Sequence, residues 1–154
     1  MNPIKGRILI LDDDILVAVN YKDRLESHGF NCHLTHSVQD AYHFIKNNTF
    51  DLVLCDHDLP DGKGLDLINR LQSEGKNLPF IYFSAATQRV LKQAAANPMV
   101  MKVITKPVSE DVIIKTVIDQ QIPIPTNHKP FIGPLERKLI LEINRDERTK
   151  ENKR

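Results

Sequence analysis

Four times along this chain a short apolar run stops abruptly at a side chain capable of chemistry. Arg7 to Leu11 (RILIL) runs into Asp12, Asp13 and Asp14, and Leu52 to Cys55 (LVLC) runs into Asp56. Phe80 to Phe83 (FIYF) runs into Ser84, and Met101 to Thr105 (MKVIT) into Lys106. Runs this short, bounded by turn formers, are read as buried parallel strands rather than helices. Asn31 to Thr35 is a fifth strand, poor in apolar residues and therefore placed at a sheet edge.

Helix signals fill the intervals. Asp14 caps a helix from Ile15 to about His28, which Gly29 ends, and Ser37 caps one through Ala41, Phe44 and Ile45 to about Asn47. Further helices run from about Gly64 to Ser73, with Leu65, Leu67, Ile68 and Leu71, and from about Gln88 to Ala96. Ser109 caps the last regular one, Glu110 to about Gln120. Five strands alternating with five helices, joined by right-handed crossovers, predict an α/β protein of flavodoxin-like (βα)5 type: a doubly wound, five-stranded parallel sheet. In that topology the carboxyl ends of the first, third, fourth and fifth strands surround one cleft. Those ends carry Asp12 and Asp13, Asp56, Ser84 and Lys106.

Three consecutive carboxylates repel one another unless something offsets them, and a hard divalent cation held by oxygens is the usual offset. Two acidic strand ends therefore predict one metal site between them. For Asp56 and Ser84 a plain capping role at the following helix remains open at this level.

At 154 residues and a formal net charge of +1, the chain is one domain with a short appendage and lacks the basic excess of a nucleic-acid binder. Cys32 and Cys55 are far apart and read as inert core thiols of a reducing compartment. No apolar run approaches the roughly 18 residues of a membrane span, and Met1 to Arg7 passes directly into the first strand. The expectation is a cytoplasmic protein with no membrane contact.

Taken in order, LILDDD, DLVLCDHDLPDGKG, FSA and TKP, each closing a strand, resemble the receiver domain of two-component response regulators over roughly Arg7 to Gln120. The resemblance implies that Asp56 is the phosphoacceptor, that Asp12 and Asp13 help bind Mg2+, and that the main-chain carbonyl of Asp58 is a further metal ligand. Ser84 would be the switch hydroxyl and Lys106 the phosphate-pairing lysine. The implied partner is a sensor histidine kinase or histidine phosphotransfer protein, with a downstream protein reached by contact. Such a domain is not a conventional enzyme, although it catalyses its own phosphorylation and dephosphorylation. Three positions depart from the pattern. Met99-Val100 stands where the family usually has Gly-Ala, so that turn is expected to form through Asn97-Pro98. Val103 replaces a common aromatic, which removes an aromatic switch, and Leu59 replaces a common Met, a volume-conserving change.

Asp56-His57-Asp58 also mimics the nucleophile motif of haloacid-dehalogenase phosphatases. That family places its nucleophile strand first and its paired acids last, the reverse of this order. An EF-hand loop counted from Asp56 would need Gly and Glu where Asp61 and Leu67 stand. His57, next in sequence to Asp56, is expected to point elsewhere and to tune the site at most.

Residues 1–121 are thus read as the receiver domain and 122–133 as a proline-rich linker with Pro123, Pro125 and Pro130. Residues 134–154 are read as a helix opened by Pro134, with Leu135, Leu139, Ile140 and Ile143 on one face, followed by a charged end. A single helix is too little for a helix-turn-helix output domain. The stripe is expected to pack on its own domain, on a partner, or on a second copy as a homodimer; without such a role the chain would be a bare phosphorelay shuttle.

Overall fold

β1 (Arg7–Leu11), β3 (Leu52–Asp56) and β6 (Phe80–Ser84) are buried at every position. Such continuous burial requires cover on both faces, as in a parallel sheet whose crossover helices lie above and below it. The computed structural model describes residues 5–120 together with Glu142 and Arg145, both helical and exposed. The expected linker and the stripe from Leu135 to Ile143 lie outside the described residues.

The five parallel strands run in the order β2-β1-β3-β6-β7, with β2 (Asn31–Thr35) and β7 (Val100–Thr105) at the edges. One face presents Leu9, Leu11, Val53, Cys55, Phe80 and Tyr82 to α2 (Val38–Asn47), α3 (Gly64–Ser73) and α4 (Gln88–Ala96). The other presents Ile8, Ile10, Leu52, Leu54, Ile81 and Phe83 to α1 (Ile15–Ser27) and α5 (Glu110–Asp119). Alternation along each strand sorts the two sets, and each fully buried Leu, Ile or Phe contributes about 1.5–3 kcal/mol of transfer free energy. This is the five-stranded flavodoxin-like sheet expected from the sequence.

The expected caps hold the helix starts. Asp14 accepts from the Val17 N–H at 3.2 Å, Ser37 from Asp40 at 3.1 Å and Ser109 from Val112 at 3.3 Å. Gly29, at φ +97°, takes the left-handed position after α1 that a side chain would disfavour.

Two features differ from expectation. β7 begins at Val100, one residue earlier than read, because Asn97 builds the turn before it. The Asn97 side chain accepts from the Met99 N–H at 2.9 Å and its carbonyl accepts from the Val100 N–H at 3.0 Å. Met99 is thereby buried, with its carbonyl accepting from the Phe80 N–H at 2.8 Å. The expected Asn97-Pro98 route thus replaces Gly-Ala with an Asn-stapled turn. The second feature is a small antiparallel ribbon after β3, β4 (Asp58–Leu59) against β5 (Gly62–Lys63). Asp61 at its tip accepts from the Val38 and Gln39 N–H groups at 2.8 and 3.0 Å, binding the ribbon to the start of α2.

Candidate functional site

The cleft forms at the carboxyl edge of β1, β3, β6 and β7. Asp12, just past β1, is buried, and its Oδ1 accepts from the Asp14 N–H at 2.9 Å. Its carbonyl accepts from His36 Nδ1 at 2.8 Å, which puts a proton on that nitrogen. Asp56 is the last residue of β3 and is also buried. Its Oδ1 accepts from the His57 N–H at 2.7 Å and its Oδ2 pairs with Lys106 Nζ at 3.1 Å. The Lys106 N–H donates to the Ser84 carbonyl at 2.8 Å, which continues the β6–β7 ladder one residue beyond β7. Lys106 precedes Pro107 through a cis peptide bond.

Asp13 is exposed, yet it completes a trio with Asp12 and Asp56 in which one ligand oxygen of each lies within 4.8 Å of the others. Burial pushes the Asp12 carboxyl up to about 6, aided by the charges of Asp56 and Asp13 and opposed by the Asp14 N–H and Lys106. Burial also raises Asp56, with Lys106 pulling the other way. Three converging carboxylates facing one ammonium form an oxygen-rich, electron-rich pocket suited to a hard divalent cation.

Ser84 is fully buried, and its Oγ accepts from the Ala86 N–H at 2.8 Å. Thr87 occupies the cap of α4, so Ser84 is not that helix's cap. Its hydroxyl proton is left for another acceptor. Asp58 lies in the exposed ribbon, where its carboxylate bonds Lys63 Nζ at 2.5 Å, and this bond lowers its pKa. That side chain is outside the carboxylate trio. Val103 lies opposite Tyr82 in the ladder and packs half-buried against the α2–α4 side of the core.

Sequence reasoning missed what His57 does. The residue is buried, and its ring turns to the hydroxyl of fully buried Tyr82. His57 sits in the bend after β3 and Tyr82 within β6, 25 positions apart, and no local pattern reports such a pair. Gly64, at the start of α3, is packed beneath them. A Cβ there would stand 2.4 Å from the Asp56 carbonyl oxygen and 2.8 Å from both Cys55 Sγ and the Tyr82 ring.

Among the described residues, no helix is long and apolar enough to cross a membrane. The chain is 31% identical over 110 residues to the sensor histidine kinase RcsC of Escherichia coli, covering 71% of this chain and 12% of that protein. It is 28% identical over 111 residues to the cell cycle transcriptional regulator CtrA of Caulobacter vibrioides, covering 72% and 48% respectively. The chain thus spans less than half the length of either relative. Among solved structures, the receiver domain of the Francisella response regulator 1452 aligns with TM-score 0.69 at 26% identity, covering 78% of this chain and 97% of that one. The non-phosphorylated HemR receiver domain from Leptospira biflexa aligns with TM-score 0.66 at 28% identity, covering 81% and 100%. The family model of the response regulator receiver domain matches residues 8–118. A match of that extent covers both faces of the sheet and all four strand ends, and it establishes that the chain belongs to the response regulator receiver domain family.

Proposed function

We propose that this chain is a phosphorylation-dependent signalling switch that takes a phosphoryl group onto Asp56 from a phosphohistidine of a sensor kinase or phosphotransfer protein. The observation that carries the reading is the convergence of Asp12, Asp13 and Asp56 with Lys106 Nζ already on Asp56. An Asp56 oxygen bonds to phosphorus in line as the P–N bond to the donor imidazole breaks, and the bonding electron pair stays on the imidazole nitrogen. The protein has little covalent chemistry to perform beyond holding these groups in place.

Asp12, Asp13, Asp56 and the main-chain carbonyl of Asp58 would hold Mg2+, which supplies charge neutralisation for the non-bridging phosphoryl oxygens. Lys106 shares that task and keeps Asp56 oriented before the donor arrives. The Ser84 hydroxyl donates its free proton to a phosphoryl oxygen, and so draws β6 and the start of α4 toward the modified aspartate. Water later attacks phosphorus as the P–O bond to Asp56 breaks, releasing inorganic phosphate and the free carboxylate, again on the domain's own groups. Beside the cleft, Ile15, Leu16 and Val19 of α1 are exposed, offering an apolar face on which a phosphohistidine protein docks. The readout passes by protein contact; the proposed tail helix at 134–154 is the surface for a downstream partner or a second copy.

The test is incubation with Mg2+ and acetyl phosphate followed by intact-mass analysis. Wild-type chain gains one phosphoryl group and Asp56→Asn gains none; equal uptake by Asp56→Asn removes the assignment. Leu16→Asp should slow transfer from a phosphohistidine protein while leaving uptake from acetyl phosphate unchanged.

A further inference from the structure

The start of α3 raises a local problem: its first backbone N–H groups have no intrahelical acceptors. The cap residue, Lys63, makes no side-chain cap bond. The donors are satisfied from elsewhere. The Lys63 N–H reaches Asp66 Oδ2 at 2.9 Å and the Gly64 N–H reaches the His57 carbonyl at 2.8 Å, while the His57 ring meets the Tyr82 hydroxyl oxygen. Tyr82 is fully buried, so this oxygen has no water to fall back on. Its partner is His57 Nδ1, and where the imidazole carries its proton on Nε2 the Tyr82 hydroxyl is the donor. The two rings meet edge to face, with centroids 5.7 Å apart and planes at 74°.

His57 in turn places the group that touches Asp56. Its N–H donates to Asp56 Oδ1 at 2.7 Å and lies 3.1 Å from the Phe83 carbonyl across the β3–β6 ladder. The N–H is shared between these two acceptors, and the orientation of this one peptide sets how closely it holds the carboxylate. The imidazole, held by the Tyr82 hydroxyl, and the His57 carbonyl, held by the Gly64 N–H, fix the residue that carries that N–H. A line of contacts therefore runs from the Tyr82 hydroxyl to the His57 ring and, through that residue's own backbone N–H, to an Asp56 oxygen. Gly64 allows it, because any side chain there would collide with both the Asp56 carbonyl and the Tyr82 ring.

We propose that His57 and Tyr82 are positioning residues for phosphoryl transfer: the Tyr82 hydroxyl, acting on the His57 ring, orients the His57 peptide so that its N–H fixes one Asp56 oxygen and leaves the carboxylate aligned for attack. The inference rests on Asp56 being the phosphoacceptor. Neither ring touches the phosphoryl group. Their effect is on alignment, where small displacements weigh heavily on rate.

The experiment uses the full chain, with acetyl phosphate as donor. Tyr82→Phe, which keeps the ring and deletes the hydroxyl, should lower the maximal rate of phosphoryl uptake at saturating Mg2+ by roughly tenfold while leaving the apparent Mg2+ affinity unchanged. His57→Leu should match it, and the double variant should be no slower than either single one, because both break the same line. His57→Asn, which returns an acceptor near the place of Nδ1, should recover most of the rate. The amide proton of His57 should shift upfield in Tyr82→Phe as its bond to Asp56 lengthens. A merely structural pair predicts lower thermal stability in Tyr82→Phe with an unchanged rate and amide shift, or equal rates in His57→Leu and His57→Asn; either result overturns the proposal. If Asp56→Asn takes up phosphoryl like the wild type, the acceptor assignment falls and the positioning role with it. If Asp56→Asn is inert but Tyr82→Phe is as fast as the wild type, the positioning role alone falls.

Discussion

Replacing Asp12 by Asn should stabilise the metal-free protein and destabilise it relative to wild type once Mg2+ is added. The perturbation is small in shape. The amide keeps an oxygen to accept from the Asp14 N–H, now 2.9 Å from Oδ1, and removes only the charge. Burial and the neighbouring carboxylates raise the Asp12 carboxyl from 3.8 to about 6, so keeping it ionised at neutral pH costs (6 − 3.8) × 1.36, or about 3 kcal/mol. A buried amide has its own desolvation cost, and Lys106 loses a neighbour, so a net gain of about 1–2 kcal/mol is expected. With Mg2+ at about a hundred times its dissociation constant, the wild type gains about 2.7 kcal/mol by mass action. The variant, lacking one ligand charge, gains much less. Urea unfolding in EDTA and again in excess Mg2+ reads both effects, and the two stability curves should cross. A variant less stable than wild type in EDTA would refute the electrostatic reasoning, and parallel gains in Mg2+ would remove Asp12 from the metal site.

Two further substitutions test the packing. Helix propensity alone favours Gly64→Ala by up to about 1 kcal/mol, but the Cβ would meet the Asp56 carbonyl oxygen at 2.4 Å, and backbone does not yield cheaply. A net loss of about 1–3 kcal/mol in urea unfolding, with slower phosphoryl uptake, is expected; an unchanged midpoint would contradict the crowding. Burial, assisted by Arg7 and Lys22, holds His33 down at about 4 against an ordinary 6.5, so the unfolded chain binds the extra proton between those values. Its contribution is fully present above about pH 6.5 and is lost as pH falls toward 4, at most about 3 kcal/mol and less once solvent screens this half-buried ring. The stability difference between wild type and His33→Gln should shrink across that window, and a pH-independent difference would count against it.

The strand ends were legible because a buried parallel strand is written as an uninterrupted apolar run, and the residue that stops it is conspicuous. Asp12, Asp56 and Lys106 stood out for that reason, and the parallel crossover rule brought them to one edge before any coordinate was known. Asp13 was legible only through its neighbours, since nothing in a run of three acids says which of them turns inward. Asp58–Leu59 and Gly62–Lys63 escaped because a two-residue strand around Pro60-Asp61 has no period to detect. The Asp58 carboxylate bonds Lys63, a pairing created by the ribbon itself and invisible in the sequence. Ser84 looked like a helix cap until Thr87 was found in that place. His57 and Tyr82 belong to a different class, because their contact depends on strand register and on the depth of a single glycine.

The fourth helix is fastened more loosely than its neighbours. Ala94 is its one buried side chain, Thr87 makes no side-chain bond to its first turn, and Val90 and Leu91 are only half-covered. Such a segment opens at lower free energy than the rest of the sheet and its cover. An input that favours one arrangement by only a few kcal/mol then suffices to invert the populations. If Asp56 takes the phosphoryl group as proposed, methyl groups left out of one helix lower the threshold at which that single covalent bond is felt across the molecule, an economy of cohesion.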